Sequence, residues 1–306
     1  MAIFTAIGTV VTGLATSIGF GAAAAASIGA AASQFALSTV LSLGIRAFSP
    51  KPSIPKQEIQ ATINQAAGPR TRLYGQALLG GTRALWETDG NKLYQIILMN
   101  HTPLSGRLDF LVDGRKVAVS VDGKVTTEPF SGDDIELHYH DGTGDGGDWP
   151  DVTAAFPDLW TVDHKLTGQA TVYAKFTTPG ADEYSRKFAR GPSTNVQIEA
   201  QGAAVYDPRS DSTAYNDNAG LCIMDYLTHA DGFRIPMAKL DTATFTAFAN
   251  LSDEAVPLKA GGTEARYRLW GIYGLQDDPK AVLARMALTC DAQIYQTAEG
   301  KVGIMG

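Results

Sequence analysis

The densest set of possible ligand residues is Asp141-Gly-Thr-Gly-Asp-Gly-Gly-Asp148. Asp141, Thr143, Asp145 and Gly146 have calcium-loop spacing, but such a loop closes with a bidentate Glu at its twelfth position. That position is Val152, so the stretch reads as a solvated Gly-Asp loop. Gly142, Gly144 and Gly147 have GxGxxG spacing, yet a dinucleotide site needs that motif between a parallel strand and a helix. Trp149-Pro150 follows instead. His138 and His140 share one strand face, where two imidazoles could bind a metal. A tight site takes three or four ligands, no third is evident nearby, and they read as exposed strand histidines. No GxSxG, HExxH or P-loop pattern occurs, and no Ser, His and Asp spacing singles out a triad. Cys222 and Cys290 lie in apolar helical patterns with no CxxC, as buried free thiols do. These residues ask for no catalysis, no metal and no cofactor.

The formal net charge is −7. No basic run with interleaved aromatics appears, which argues against stable nucleic-acid binding. The charge is unevenly spread: the first charged side chain is Arg46. Before it runs an apolar arm rich in Ala, Gly, Ser and Thr. Nothing basic precedes Ile3 to Val11, and the apolar stretch is too long for a secretory signal. Small residues recur every four positions at Gly13, Ser17 and Gly21, then Ala25, Gly29 and Ser33. That stripe lets helices approach closely, in lipid or inside a protein lumen. Pro50, Pro52 and Pro55 end the arm. The expected division is an arm at 1–49, a linker at 50–68, a β-rich domain at 69–205 and a mixed domain at 206–306.

Beyond Arg70 the periodicity predicts strands at Leu93–Met99, Leu108–Val112, Lys116–Val121, Ile135–His140 and Gln169–Thr177. Asp113-Gly114 and Asp122-Gly123 are hairpin turn signals. Ile135, Leu137 and Tyr139 share a face, as do Ala170, Val172, Ala174 and Phe176. Helices are predicted over Asn216–His229, from an Asp241 cap through Leu251, and from Asp278-Pro279 to about Asp291. Strands over Ala292–Thr297 and Val302–Met305 flank Glu299-Gly300, and a further chain or subunit is expected to continue that sheet. The fold class is α+β and β-rich, with antiparallel sheets, a few packed helices and a helical apolar arm.

Val205-Tyr206-Asp207-Pro208-Arg209, then Ala214 to Leu227 with Asn218, Asp225, Tyr226 and Leu227, form a signature, with Gly232 beyond. It resembles the hub, or tip attachment, proteins of long-tailed phages, the family of the lambda host-specificity protein J. The related tail proteins of gene transfer agents are similar. Arg72-Leu-Tyr-Gly75 with Gly80-Gly81, Leu93 to Leu98 with His101, and Trp160 with His164 and Gly168 agree with the pattern upstream. Pro279 to Tyr295 agrees downstream. The resemblance covers roughly Pro69 to Gly306. In physical terms Asp207-Pro208-Arg209 suits a turn whose Arg can meet a carboxylate, and Asn218 or Asp217 can cap the helix that follows.

The resemblance implies tail-tube-like β domains in a homotrimer at the virion's tail tip, a baseplate hub that closes the tail tube. Its implied partners are the distal tail protein, the tape measure protein and other tail tip subunits, and it opens for DNA ejection. The arm would plug the lumen or enter the host membrane. The family's host-recognition part, at the far C-terminal end, is not expected in this stretch. Two alternatives stand beside this reading: a membrane-anchored adhesin or secretion subunit, and a tail-associated cell-wall hydrolase.

Overall fold

The computed structural model describes residues 70–306. The small-residue stripe and the proline linker lie outside the described residues. Strands come first: β1 (Thr71–Tyr74), β2 (Gln76–Leu79), β3 (Thr82–Asp89), β4 (Lys92–Asn100), β5 (Gly106–Val112), β6 (Arg115–Val117) and β7 (Ile135–His140). Helix α1 (Pro150–Ala155), β8 (Ala170–Thr177), helix α2 (Ala181–Lys187) and β9 (Val196–Gln201) follow. Then come β10 (Ala204–Asp207), β11 (Ser212–Tyr215), helix α3 (Ala219–Thr228), helix α4 (Thr242–Ser252), β12 (Ala255–Pro257), β13 (Thr263–Ala265) and β14 (Gly271–Gly274). Helix α5 (Pro279–Thr289), β15 (Gln293–Gln296) and β16 (Val302–Met305) complete the order.

Two four-stranded antiparallel sheets, β2-β9-β5-β6 and β3-β4-β8-β7, share one apolar core. Period-two alternation decides which residues enter it. Ile135 and Leu137 of β7 and Ala170, Val172, Ala174 and Phe176 of β8 point inward, against Phe110, Val112 and Ile198 of the other sheet. The opposite face of the second sheet is covered as well. Tyr94, Ile96 and Tyr173 pack there with Val152 and Trp160. The β5–β6 turn is Asp113-Gly114, both at positive φ, as a two-residue type I′ hairpin requires.

A second core gathers α3, α4 and α5 with β10, β14 and β16. Helix α3 is buried around nearly its whole circumference, with Leu221, Cys222, Ile223, Met224, Tyr226 and Leu227 all inaccessible. A helix that is apolar on all sides belongs in the middle of a core. Gly220 makes the α3–α4 approach possible, because a Cβ there would lie 3.0 Å from Phe248 Cδ1 and 3.1 Å from the Ala249 amide.

Several boundaries differ from the sequence expectation. The strand expected over Lys116–Val121 ends at Val117, because Ser120 turns the chain back to Lys124 and only a bridge, Val119 to Val125, continues the pairing. The third helix begins at Ala219, after the Asn218 cap, and the fifth stops at Thr289. Asp291 has a φ of 52°, which no α-helix continues through. Other predicted strands and helices coincide closely: β15 and β16 pair around Gly300, and Asp241 and Asp278 cap α4 and α5.

Candidate functional site: a buried clasp between β1 and α3

Short strand β1 is built by alternation. Leu73 points into the sandwich core, and Tyr74 enters the helical core. Arg72 lies two residues from Tyr74, on the same face. Across from them runs α3, whose last turn carries Asp225 and is followed by His229. Arg72 Nη2 donates to Asp225 Oδ2 at 2.7 Å, and Tyr74 Oη donates to the same oxygen at 2.5 Å. Arg72 Nη1 lies 3.0 Å from His229 Nε2. The ion pair is well shielded, the side chains being 6% and 15% exposed.

The electrostatics follow from that enclosure. Burial opposes the Arg72 charge, but Tyr74 and Asp225 outweigh it and hold the guanidinium firmly protonated. Burial pushes the Tyr74 phenol well above its ordinary range, so it remains a donor. Burial, and then the Arg72 charge, push the His229 imidazole below its ordinary value. The clasp is therefore one carboxylate accepting from two donors, beside a neutral imidazole. Tyr273 stacks on Tyr74 at 6.0 Å, and Tyr226 lies edge-on to Tyr273 at 5.0 Å. Gly75 leaves the clasp at a φ of 67°, and a Cβ there would stand 2.2 Å from Trp270 Cδ1 and 2.5 Å from the Leu269 carbonyl.

The other signature residues form two further ties. Asp207 to Asp211 make the β10–β11 turn. Asp207 accepts the Arg209 amide at 2.9 Å and grips its guanidinium through Nε at 2.9 Å and Nη2 at 2.7 Å. The free end of Arg209 reaches Asn250 at 3.1 Å and Asp253 at 2.8 Å, at the C-terminus of α4. Pro208 lies inside this turn, and Tyr206 braces it through a 2.9 Å hydrogen bond to Asp211. Asn218 caps α3 by accepting from the Leu221 amide at 3.2 Å, and its Nδ2 donates to the Ala249 carbonyl of α4 at 2.8 Å. Asp217 serves elsewhere: it pairs with Arg268 and accepts from Trp270 Nε1 at 2.8 Å. Leu227 is buried in the helical core.

The sequence foresaw the turn and the cap, but not the joining of Arg72 and Tyr74 to Asp225. A signal existed: Asp225 stands alone between Met224 and Tyr226 in an apolar helix, and a carboxylate there needs a donor.

The residues first weighed for chemistry lie apart from the clasp. Asp141 takes up the Thr143 amide at 2.8 Å, and Asp145 holds Lys165 at 2.7 Å and Thr167 at 3.0 Å. His138 is not an exposed strand histidine. It is half-buried and stacks on Tyr173 at 5.7 Å, because Trp149 folds over that face of the sheet. His140, also half-buried, accepts the Gly142 amide at 3.2 Å. Among the described residues no three metal-ligating side chains converge. Burial pushes the Cys222 and Cys290 thiols up, which makes them poor nucleophiles. A cavity of about 360 Å³ beside the β3–β4 hairpin is lined by Trp86, Leu93, Phe176, Tyr184 and Phe188, with Glu87 and Lys92 its charged groups. Among the described residues no helix is long and apolar enough to cross a membrane.

No known protein family and no curated protein matches the chain. Among solved structures, a chain of the virion of a native gene transfer agent particle is similar to it, at 14% identity and a TM-score of 0.36. The similarity covers 59% of this chain and 39% of that one. The matched part is thus well under half of that structural relative.

Proposed function

We propose that this chain is a non-enzymatic assembly subunit of a phage-like particle, the hub of its tail tip. Three copies form a ring that closes the tail tube, joined to the distal tail and tape measure proteins. The ring opens when DNA leaves. The uncharged arm serves as a lumen plug or as a host-membrane segment.

The observation that carries this reading is the meeting of Arg72 and Tyr74 with Asp225. These residues belong to the two stretches that resemble the hub family. They lie far apart in sequence, and each is shielded and consumed by the other. Polar residues spent on holding two cores together suit a rigid framework. A catalytic site would leave them open to a substrate.

Immunogold electron microscopy of particles from the producing cells, with an epitope on this chain, tests the reading. Label at one tail end is the expected outcome. Label on the cell envelope and none on particles would overturn it in favour of a membrane-anchored subunit. Light scattering on the purified full chain supplies the second measure: three chain masses are expected, before and after removal of residues 1–50. A clean monomer after truncation would assign association to the arm.

A further inference from the structure

His229 occupies an unusual position. Its Nε2 faces the Arg72 guanidinium at 3.0 Å, and its Nδ1 faces the Asp231 amide at 3.1 Å. Both ring nitrogens are thus approached by N–H donors. A guanidinium only donates and is the stronger, charged donor. A neutral ring offers one acceptor nitrogen to these two donors, and the Asp231 carboxylate lies 3.6 Å from Nδ1. Protonated at both nitrogens, the ring can accept from neither donor, and its charge stands directly against Arg72.

We propose that His229 is a proton-sensitive latch on the clasp: neutral, it lies against Arg72 without repelling it and leaves β1 steady against α3, and protonated, it repels Arg72 and loosens that contact. The charged groups around it come from every packed element. Arg72 and Tyr74 come from β1, Asp225 from α3, Asp231 from the following loop, and Tyr273 from β14 lies within the field of Arg72. Asp225 and Asp231 favour the imidazolium, whereas burial and Arg72 oppose it. The end of α3 also favours a cation at this position. The direct contact decides the response, since an imidazolium has no lone pair to offer and its charge would face the guanidinium 3.0 Å from Nε2. Asp225 stays paired through Tyr74 and Arg72 Nη2, so loosening is local. The latch stands independently of the assembly reading, because it concerns one chain only.

Amide hydrogen exchange of the full chain between pH 7.5 and 5.5, corrected for intrinsic rates, tests it. Peptides covering Thr71–Tyr74 and Leu221–His229 should exchange several-fold faster at the lower pH, while β4 and β8 stay protected. His229→Gln supplies a permanently neutral acceptor and should abolish the response. His101→Gln should leave it, although His101 Nδ1 also accepts an amide of β1, that of Thr71 at 3.3 Å. In the wild-type chain, histidine NMR should show proton uptake at His229 over the same pH range as the faster exchange; this readout needs no variant to fold. The proposal is overturned if exchange is flat with pH or rises equally in the sandwich. It is equally overturned if His101→Gln, and not His229→Gln, removes the response.

Discussion

At the residue scale the Arg72–Asp225 pair shows how a buried charge is tolerated. Each ion would cost several kcal/mol to desolvate alone. Here each finds its counter-ion at 2.7 Å, and Tyr74 satisfies a further lone pair of the carboxylate. Such a pair adds little net stability over a well-packed apolar substitute, but breaking it leaves a charge stranded. Asp225→Asn keeps the shape and removes the counter-charge. It should cost about 3–5 kcal/mol, read as a lowered urea midpoint. Arg72→Met together with Asp225→Leu should recover much of that loss. If the single variant costs no more than an exposed ion pair, below about 1 kcal/mol, the clasp does not hold β1 to α3. Asn218→Ala is expected to cost more than the ~1 kcal/mol of an ordinary N-cap. It loses the cap and also one of the two hydrogen bonds to the buried Ala249 carbonyl, which keeps only that from the Asp253 amide.

At the element scale the question is what places β1 where Arg72 can reach α3. Its hydrogen-bonded partner is β14, with Thr71 opposite Gly274 and Tyr74 opposite Gly271. Gly75 then swings the chain past Trp270 into β2. Gly75→Ala would be strained twice, by its positive φ and by a contact of 2.5 Å with the Leu269 carbonyl, which cannot move aside as a side chain can. It should lower the thermal midpoint markedly and displace Trp270, already 49% exposed, seen as a change in tryptophan emission. Local elements such as β7, β8, the Asp113-Gly114 turn and the capped helices were legible in the sequence, because their signals lie within a few residues. The pairing of β1 with β14 was not, since four-residue strands carry almost no periodicity and their partners lie far apart in the chain. The full burial of α3 was half legible. Leu221, Met224 and Thr228 mark one face with Leu227 beside them, but the burial of Ile223 and Tyr226 on the others follows from what packs around the helix. His138 was misread for a related reason, as a strand histidine looks exposed until Trp149 covers it.

At the scale of the whole molecule the same groups predict how stability varies with pH. His101 and His229 are both held below the ordinary imidazole value, chiefly by burial, with Arg70 and Arg72 adding to it. As pH falls below about 6.5, the unfolded chain takes up these protons more readily than the folded one. Stability rises with pH wherever the unfolded state binds more protons, so it must fall as the medium is acidified through this range. A second loss should follow near the ordinary carboxylate range. There Asp151 and Asp207, held low by hydrogen bonds from Lys175 and Arg209, resist protonation in the folded state. The alkaline side has the opposite sign. Burial raises the Cys222 and Cys290 thiols and the Tyr74 and Tyr173 phenols. The unfolded chain therefore loses those protons first, from about pH 8.5 upward, and stability declines again. The expected profile is a plateau between about pH 6.5 and 8.5 with a loss on either side. Urea unfolding across about pH 2.5–10, with constant slope m, measures it. His101→Gln combined with His229→Gln should flatten the first acid loss and leave the carboxylate step in place. An unchanged first step in that double variant would mean that the histidines do not set the acid limit of the fold.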